Sequence, residues 1–107
     1  FNLAKKQIEY LSNLVLNNDK KTILMGDLNM VPISKRFTNF LKKSKLYTYA
    51  SFKDPKSTWP SYLPYYLGIQ IDHVLFSKEF KMINKKTINN FGSDHRPLLV
   101  DLVYKSF

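Results

Sequence analysis

Apolar positions recur along the chain with two periods. In residues 2–17 they fall at Ala4, Ile8, Leu11 and Val15, with Leu3 and Leu14 widening the stripe, while Lys5, Lys6, Glu9 and Asn13 take the other face. That spacing predicts an amphipathic helix. The polar run Asn17-Asn18-Asp19-Lys20 breaks it, and Thr22-Ile23-Leu24-Met25-Gly26 follows as a short buried strand. Ser34 stands where an N-cap belongs, ahead of a second helix through Lys43 that buries Phe37, Phe40 and Leu41. Residues 46–49 suit a short edge strand and 53–57 a loop. Residues 58–68 carry two prolines among large aromatics, which predicts an ordered loop held by aromatic packing, because proline removes a ladder donor. Strands are predicted at 69–76, 81–88 and 98–104, with a turn at 77–79 and a polar loop at 89–97. The fold class is therefore α/β in the broad sense (α+β), with no repeat and no internal boundary in residues 1–107.

Where strands end, polar residues cluster. Asp27 and Asn29 follow Gly26 at a strand terminus, and a carboxylate delivered there reaches the rim where ligands bind in layered α/β folds. Alternation aims both side chains one way and turns Leu28 back to the core. Asp and Asn are also ordinary turn residues, so the pair alone decides nothing. Two further clusters, Ile71-Asp72-His73 and Gly92-Ser93-Asp94-His95, place an aspartate directly before each histidine. A carboxylate inside an apolar strand needs a partner, and an imidazole supplies one. His73 faces away from Asp72 by alternation, which leaves His95 as the partner.

Composition narrows the picture modestly. Hydrophobic content of 44% and aromatic content of 15% suffice for a packed core and exclude a disordered segment. No apolar run approaches the ~20 residues of a membrane-spanning helix. There is no cysteine, which excludes disulfides and thiolate metal sites. The net charge of +9, from 17 basic against 8 acidic residues, suits polyanionic partners such as nucleic acid. Only Arg36 and Arg96 are arginines, however, and an AT-rich coding sequence gives the same lysine, asparagine, isoleucine and tyrosine excess. Phe1 opens directly into the first helix pattern, the expectation for a portion of a larger protein.

Taken in order, Gly26-Asp27-Leu28-Asn29 after a strand, Thr58-Trp59-Pro60, Ile71-Asp72-His73-Val74-Leu75, and Gly92-Ser93-Asp94-His95-Arg96-Pro97-Leu98 before a strand resemble the endonuclease/exonuclease/phosphatase superfamily. The likeness is to its C-terminal half, in the bacterial branch with Thr-Trp-Pro ahead of the Ile-Asp-His strand, and it spans nearly the whole chain. The resemblance implies the C-terminal half of a four-layer α/β sandwich, with a mainly antiparallel or mixed sheet and helices on one face. It implies a hydrolase of phosphate esters dependent on Mg²⁺ or Mn²⁺. By position, Asp27 orients or deprotonates the attacking water, Asn29 holds the nucleophile or a phosphate oxygen, Asp72 fixes His95, and His95 stabilises transition-state charge. Asp94 lies near the metal. Arg96 and Trp59 are candidates to touch substrate, Trp59 by stacking with Tyr62, Tyr65 and Tyr66, although those aromatics serve equally as core cover. The family's principal metal ligands, an Asn and a Glu, are then expected upstream of Phe1, so these 107 residues alone should turn over little substrate. With part of the sandwich absent, an uncovered sheet is expected to favour self-association. A competing reading is a non-catalytic basic module, or a degenerate family member, that binds nucleic acid or another anionic partner without cleaving it.

Overall fold

A computed structural model describes residues 2–48, 56–88 and 92–105. Its elements are α1 (Asn2–Leu16), β1 (Ile23–Asp27), α2 (Lys35–Ser44), β2 (Tyr47–Thr48), a single 3-10 turn (Tyr65–Leu67), β3 (Asp72–Phe76), β4 (Phe80–Thr87) and β5 (Leu98–Tyr104). Each expected helix and strand is present, in the expected order. Residues 49, 53–55 and 89–91, parts of an expected strand and two expected loops, lie outside the described residues, as do the side chains of Leu3, Ala4 and Tyr65.

β3 is the centre of a three-stranded sheet in the order β1-β3-β2, antiparallel throughout. Register pairs Ile23 with Phe76, Met25 with Val74, and Asp27 with Asp72 on one face. Leu24, Gly26, His73 and Leu75 therefore share the other face, the one the helices cover. Met30, Phe37, Phe40, Leu46 and Leu75 form the buried core there, with Ile8, Leu11, Val15, Leu24, Leu28 and Leu41 packed around it. β4 and β5 make a separate antiparallel pair with an irregularity between Met82 and Asn84. The inserted residue, Ile83, is left exposed, and the inward parity passes from Met82 to Lys85 and Thr87.

Three local departures have physical causes. Within α1, Leu14 is 56% exposed, whereas Ser12 is buried with its hydroxyl donating to the Glu9 carbonyl one turn back. β3 begins at Asp72 and not at Ile69, because Ile69 instead bridges Trp59 and the Ile71 and Asp72 amides bond to a threonine hydroxyl. In the 58–68 segment Tyr62 and Tyr66 are largely exposed, so these two do not supply the expected aromatic packing, whereas Trp59 is half-buried. Hydrogen bonds order it: Ser61 N–H donates to the Asp94 carbonyl, and the Arg96 guanidinium donates to the Leu63 carbonyl at 2.7 Å and to Ser57 Oγ at 3.2 Å. Gly68 fits because a Cβ there would collide with Ser57 Oγ.

α2 is capped at its start as the sequence predicts, and its C-terminal closure is an addition the sequence pattern does not signal. Ser34 accepts from Phe37 N–H at 3.1 Å, and the chain leaves the helix through Lys45 in the left-handed conformation, whose N–H returns to Leu41.

Candidate active site

The register of β1 on β3 places Asp27 directly across from Asp72, so two carboxylates share one rim. Like charges directly opposed across a sheet are destabilising without a cation between them. The 93–97 loop brings one. His95 Nδ1–H donates to Asp72 Oδ2 at 2.7 Å, and its Nε2 faces Asp27 Oδ2 at 3.9 Å. The ligand atoms of all three residues lie within 4.8 Å of one another. The Asp72 hydrogen bond, aided by the charges of Asp72, Asp94 and Asp27, raises the His95 pKa above the ordinary imidazole value despite partial desolvation. A protonated ring so held presents an Nε2–H into the gap beside Asp27, where an anionic oxygen would be received.

Gly26 and Asn29 bracket Asp27. Gly26 has φ +148°, a conformation that L side chains rarely adopt, and it lets β1 end at the rim. Asn29 has φ +52°, and its N–H donates to Asp27 Oδ1 at 2.9 Å. This turn fixes one oxygen of Asp27 and leaves the other toward His95. Because Asn29 is left-handed, strand alternation no longer governs it; it is exposed at the rim beside Asp27.

The remaining candidates divide. Asp94 is exposed and outside the three-residue cluster, with its carbonyl bound by Ser61. Arg96 commits its guanidinium to the 57–63 loop, to Ser57, Ser61 and Leu63. Trp59 is half-buried in its bridge with Ile69. His73 points the opposite way, as alternation requires. It is 1% exposed, donates from Nε2 to the Met30 carbonyl at 2.6 Å and stacks on Phe37 at 4.5 Å. Burial lowers its pKa, and its Nδ1 has no partner among the described residues. It is a core histidine.

Sequence reasoning passed over the buried polar residues behind the rim. Thr58 is fully buried, and its Oγ1 accepts from Ile71 and Asp72 N–H at 3.1 and 3.2 Å. Gln70 is 2% exposed and its Oε1 accepts from Lys56 N–H. A threonine beside Trp-Pro carries no sequence signal of burial; only the return of the chain 13 and 14 residues later gives the hydroxyl its partners.

Fold and motif order together define a class, and the chain belongs to the Endonuclease/Exonuclease/phosphatase family, which it matches over residues 4–95. Among solved structures it is similar to a mannosyl-6-phosphatase of Bacteroides thetaiotaomicron VPI-5482, with a TM-score of 0.64 and 19% identity over 94% of this chain and 44% of that one. It is also similar to an endonuclease/exonuclease/phosphatase family protein from Bacteroides thetaiotaomicron, with a TM-score of 0.66 and 19% identity over 95% of this chain and 44% of that one. The chain thus spans under half the length of these structures, and at that identity the shared feature is the fold. No curated protein matches the sequence.

Proposed function

We propose that residues 1–107 are the C-terminal part of a metal-dependent phosphate-ester hydrolase domain, in which Asp27, Asp72 and His95 handle the phosphate. The observation that carries this reading is the imidazole hydrogen-bonded to one rim carboxylate and held 3.9 Å from the other. Asp27 takes the proton of the attacking water as its oxygen bonds to phosphorus and the ester oxygen departs. His95, whose protonated form the Asp72 hydrogen bond favours, donates from Nε2 to a non-bridging oxygen as charge builds there. Asn29, exposed on the turn after Asp27, orients the water or a phosphate oxygen. The solved neighbour named as a mannosyl-6-phosphatase favours a phosphomonoester.

The donor set suits a hydrated Mg²⁺ or Mn²⁺. Magnesium takes hard oxygen ligands and binds through one or two carboxylates while keeping several waters. Asp27 offers an exposed carboxylate, and Asp94 can reach the same ion through water. A cation held there would supply Lewis-acid polarisation of the phosphate and stabilisation of the leaving oxygen. Its chief carboxylate ligand is expected from the part of the domain that precedes these residues. That same part would also cover the sheet face where Ile23 and Met25 are 42% and 68% exposed.

The test uses the complete protein on p-nitrophenyl phosphate and bis(p-nitrophenyl) phosphate, with and without Mg²⁺ or Mn²⁺. Cation-dependent turnover is expected, with the monoester preferred. Asp27→Ala should lower it roughly 10²–10⁴-fold. Salt-sensitive nucleic-acid binding without cleavage would instead support a non-catalytic basic module.

A further inference from the structure

Two of the three site residues sit on backbone that meets at one buried residue, one segment at its side chain and the other at its carbonyl. Asp72 opens β3, and His95 lies in the 93–97 loop. Thr58 Oγ1 accepts the N–H groups of Ile71 and Asp72, while the Thr58 carbonyl accepts the N–H of Arg96, the residue after His95, at 2.7 Å. Thr58 N–H donates to the Ile69 carbonyl at 2.9 Å. The N–H, the carbonyl and the hydroxyl oxygen of this fully buried residue each join segments of the rim. Around it the clamp is doubled: Ser61 N–H bonds the Asp94 carbonyl, Ser61 Oγ donates to the Ser93 carbonyl, and the Arg96 guanidinium reaches back to Ser57 and Leu63.

We propose that Thr58 is a positioning residue that sets the Asp72–His95 hydrogen bond by fixing the start of β3 and the 93–97 loop to one point. Thr58 acts at one remove, through backbone amides. A hydrogen bond weakens steeply with distance and angle, so backbone drift at either anchor breaks the 2.7 Å contact before it unfolds the sheet. The Asp72 bond in turn selects the imidazole tautomer, holding the proton on Nδ1. Arg96 belongs to the same clamp. This inference rests on reading the Asp72–His95 pair as part of the chemistry, but its test does not.

The measurement is nitrogen NMR of the His95 ring at a pH where the imidazole is neutral, on the wild-type chain and on Thr58→Ser and Thr58→Val. The wild type and the serine variant, which keeps the hydroxyl, should hold the proton on Nδ1. The nearly isosteric valine variant should revert to the pattern of free imidazole, with Nε2–H predominant. A valine variant that keeps the wild-type pattern overturns the proposal. Should Thr58→Val fail to fold, amide exchange in the wild type decides: Ile71 and Asp72 should be protected comparably to Leu28, whose N–H bonds the Ile71 carbonyl. Exchange at unfolded-chain rates there overturns it. In the complete protein, Thr58→Val should lower turnover roughly 10–100-fold, with Thr58→Ser restoring most of it. A lost tautomer with full activity would uphold the role of Thr58 and contradict the assignment of the pair to catalysis.

Discussion

Each histidine follows an aspartate, and environment gives the two rings opposite tasks. His95 gains an acceptor and keeps its proton above the ordinary imidazole range; His73 loses water and has its pKa lowered. Replacing Asp72 with Asn removes the largest cause of the first shift, so the His95 pKa should fall toward the usual value of about 6.5 in an NMR titration. An unchanged value would contradict the pairing. The linkage signs differ as well. With a raised folded pKa, the stabilisation from His95 is full below about pH 6.5 and fades as pH rises through its folded value. With a lowered folded pKa, the contribution of His73 is full above about pH 6.5 and is lost as pH falls toward its folded value. Below about pH 6.5, where only the His73 contribution still changes, melting temperature should therefore drop on acidification, and His73→Phe should flatten that drop, although the loss of the Met30 bond lowers stability at neutral pH. A slope unchanged by His73→Phe would contradict this role. The choice between the histidines was legible in the sequence because alternation within β3 needs only the parity of positions 72 and 73. The jobs of Arg96 and Thr58 were not, since their partners lie far along the chain.

Element boundaries that depend on neighbours in sequence were the most readable. Ser34 caps α2, and β5 runs from Leu98 to Tyr104 as its apolar pattern implies. Ser34→Ala should cost about 1 kcal/mol in urea denaturation, the usual loss for a cap whose oxygen accepts a backbone N–H. No change would mean the cap is replaced by another acceptor. Where boundaries depend on distant partners, the pattern misleads. Apolar Ile69 and Ile71 read as strand, but Ile69 pairs with Trp59 and the ladder to β1 starts only at Asp72. Prolines and tyrosines in 58–68 read as a packed cover, whereas two tyrosines stand in solvent and polar bonds to residues 93–96 hold the segment. A bulge in β4 is likewise invisible to a period-two count, because an inserted residue shows only once the partner strand is known.

At the scale of the molecule, family and fold class followed from motifs in order, each beside its expected strand. Which strand residues the helices leave exposed did not, because that depends on how distant elements pack. Helices protect one face of the β1-β3-β2 sheet, and the other presents Ile23 and Met25 next to the site. Exposed apolar residues on a strand at the sheet edge favour pairing with another strand. The isolated chain should therefore associate in a concentration-dependent way by light scattering, and Met25→Lys should shift it toward monomer. A clean monomer at high concentration contradicts this. The central claim is that Asp27, Asp72 and His95 converge on one phosphate, and NMR titration of the complete protein with inorganic phosphate in the presence of Mg²⁺ tests it most directly. The His95 ring and the Asp27 and Asn29 amides should shift together along one saturating curve, and Asp27→Asn should weaken that curve. Shifts confined to the lysines of α1 and α2, or none at all, would contradict the account.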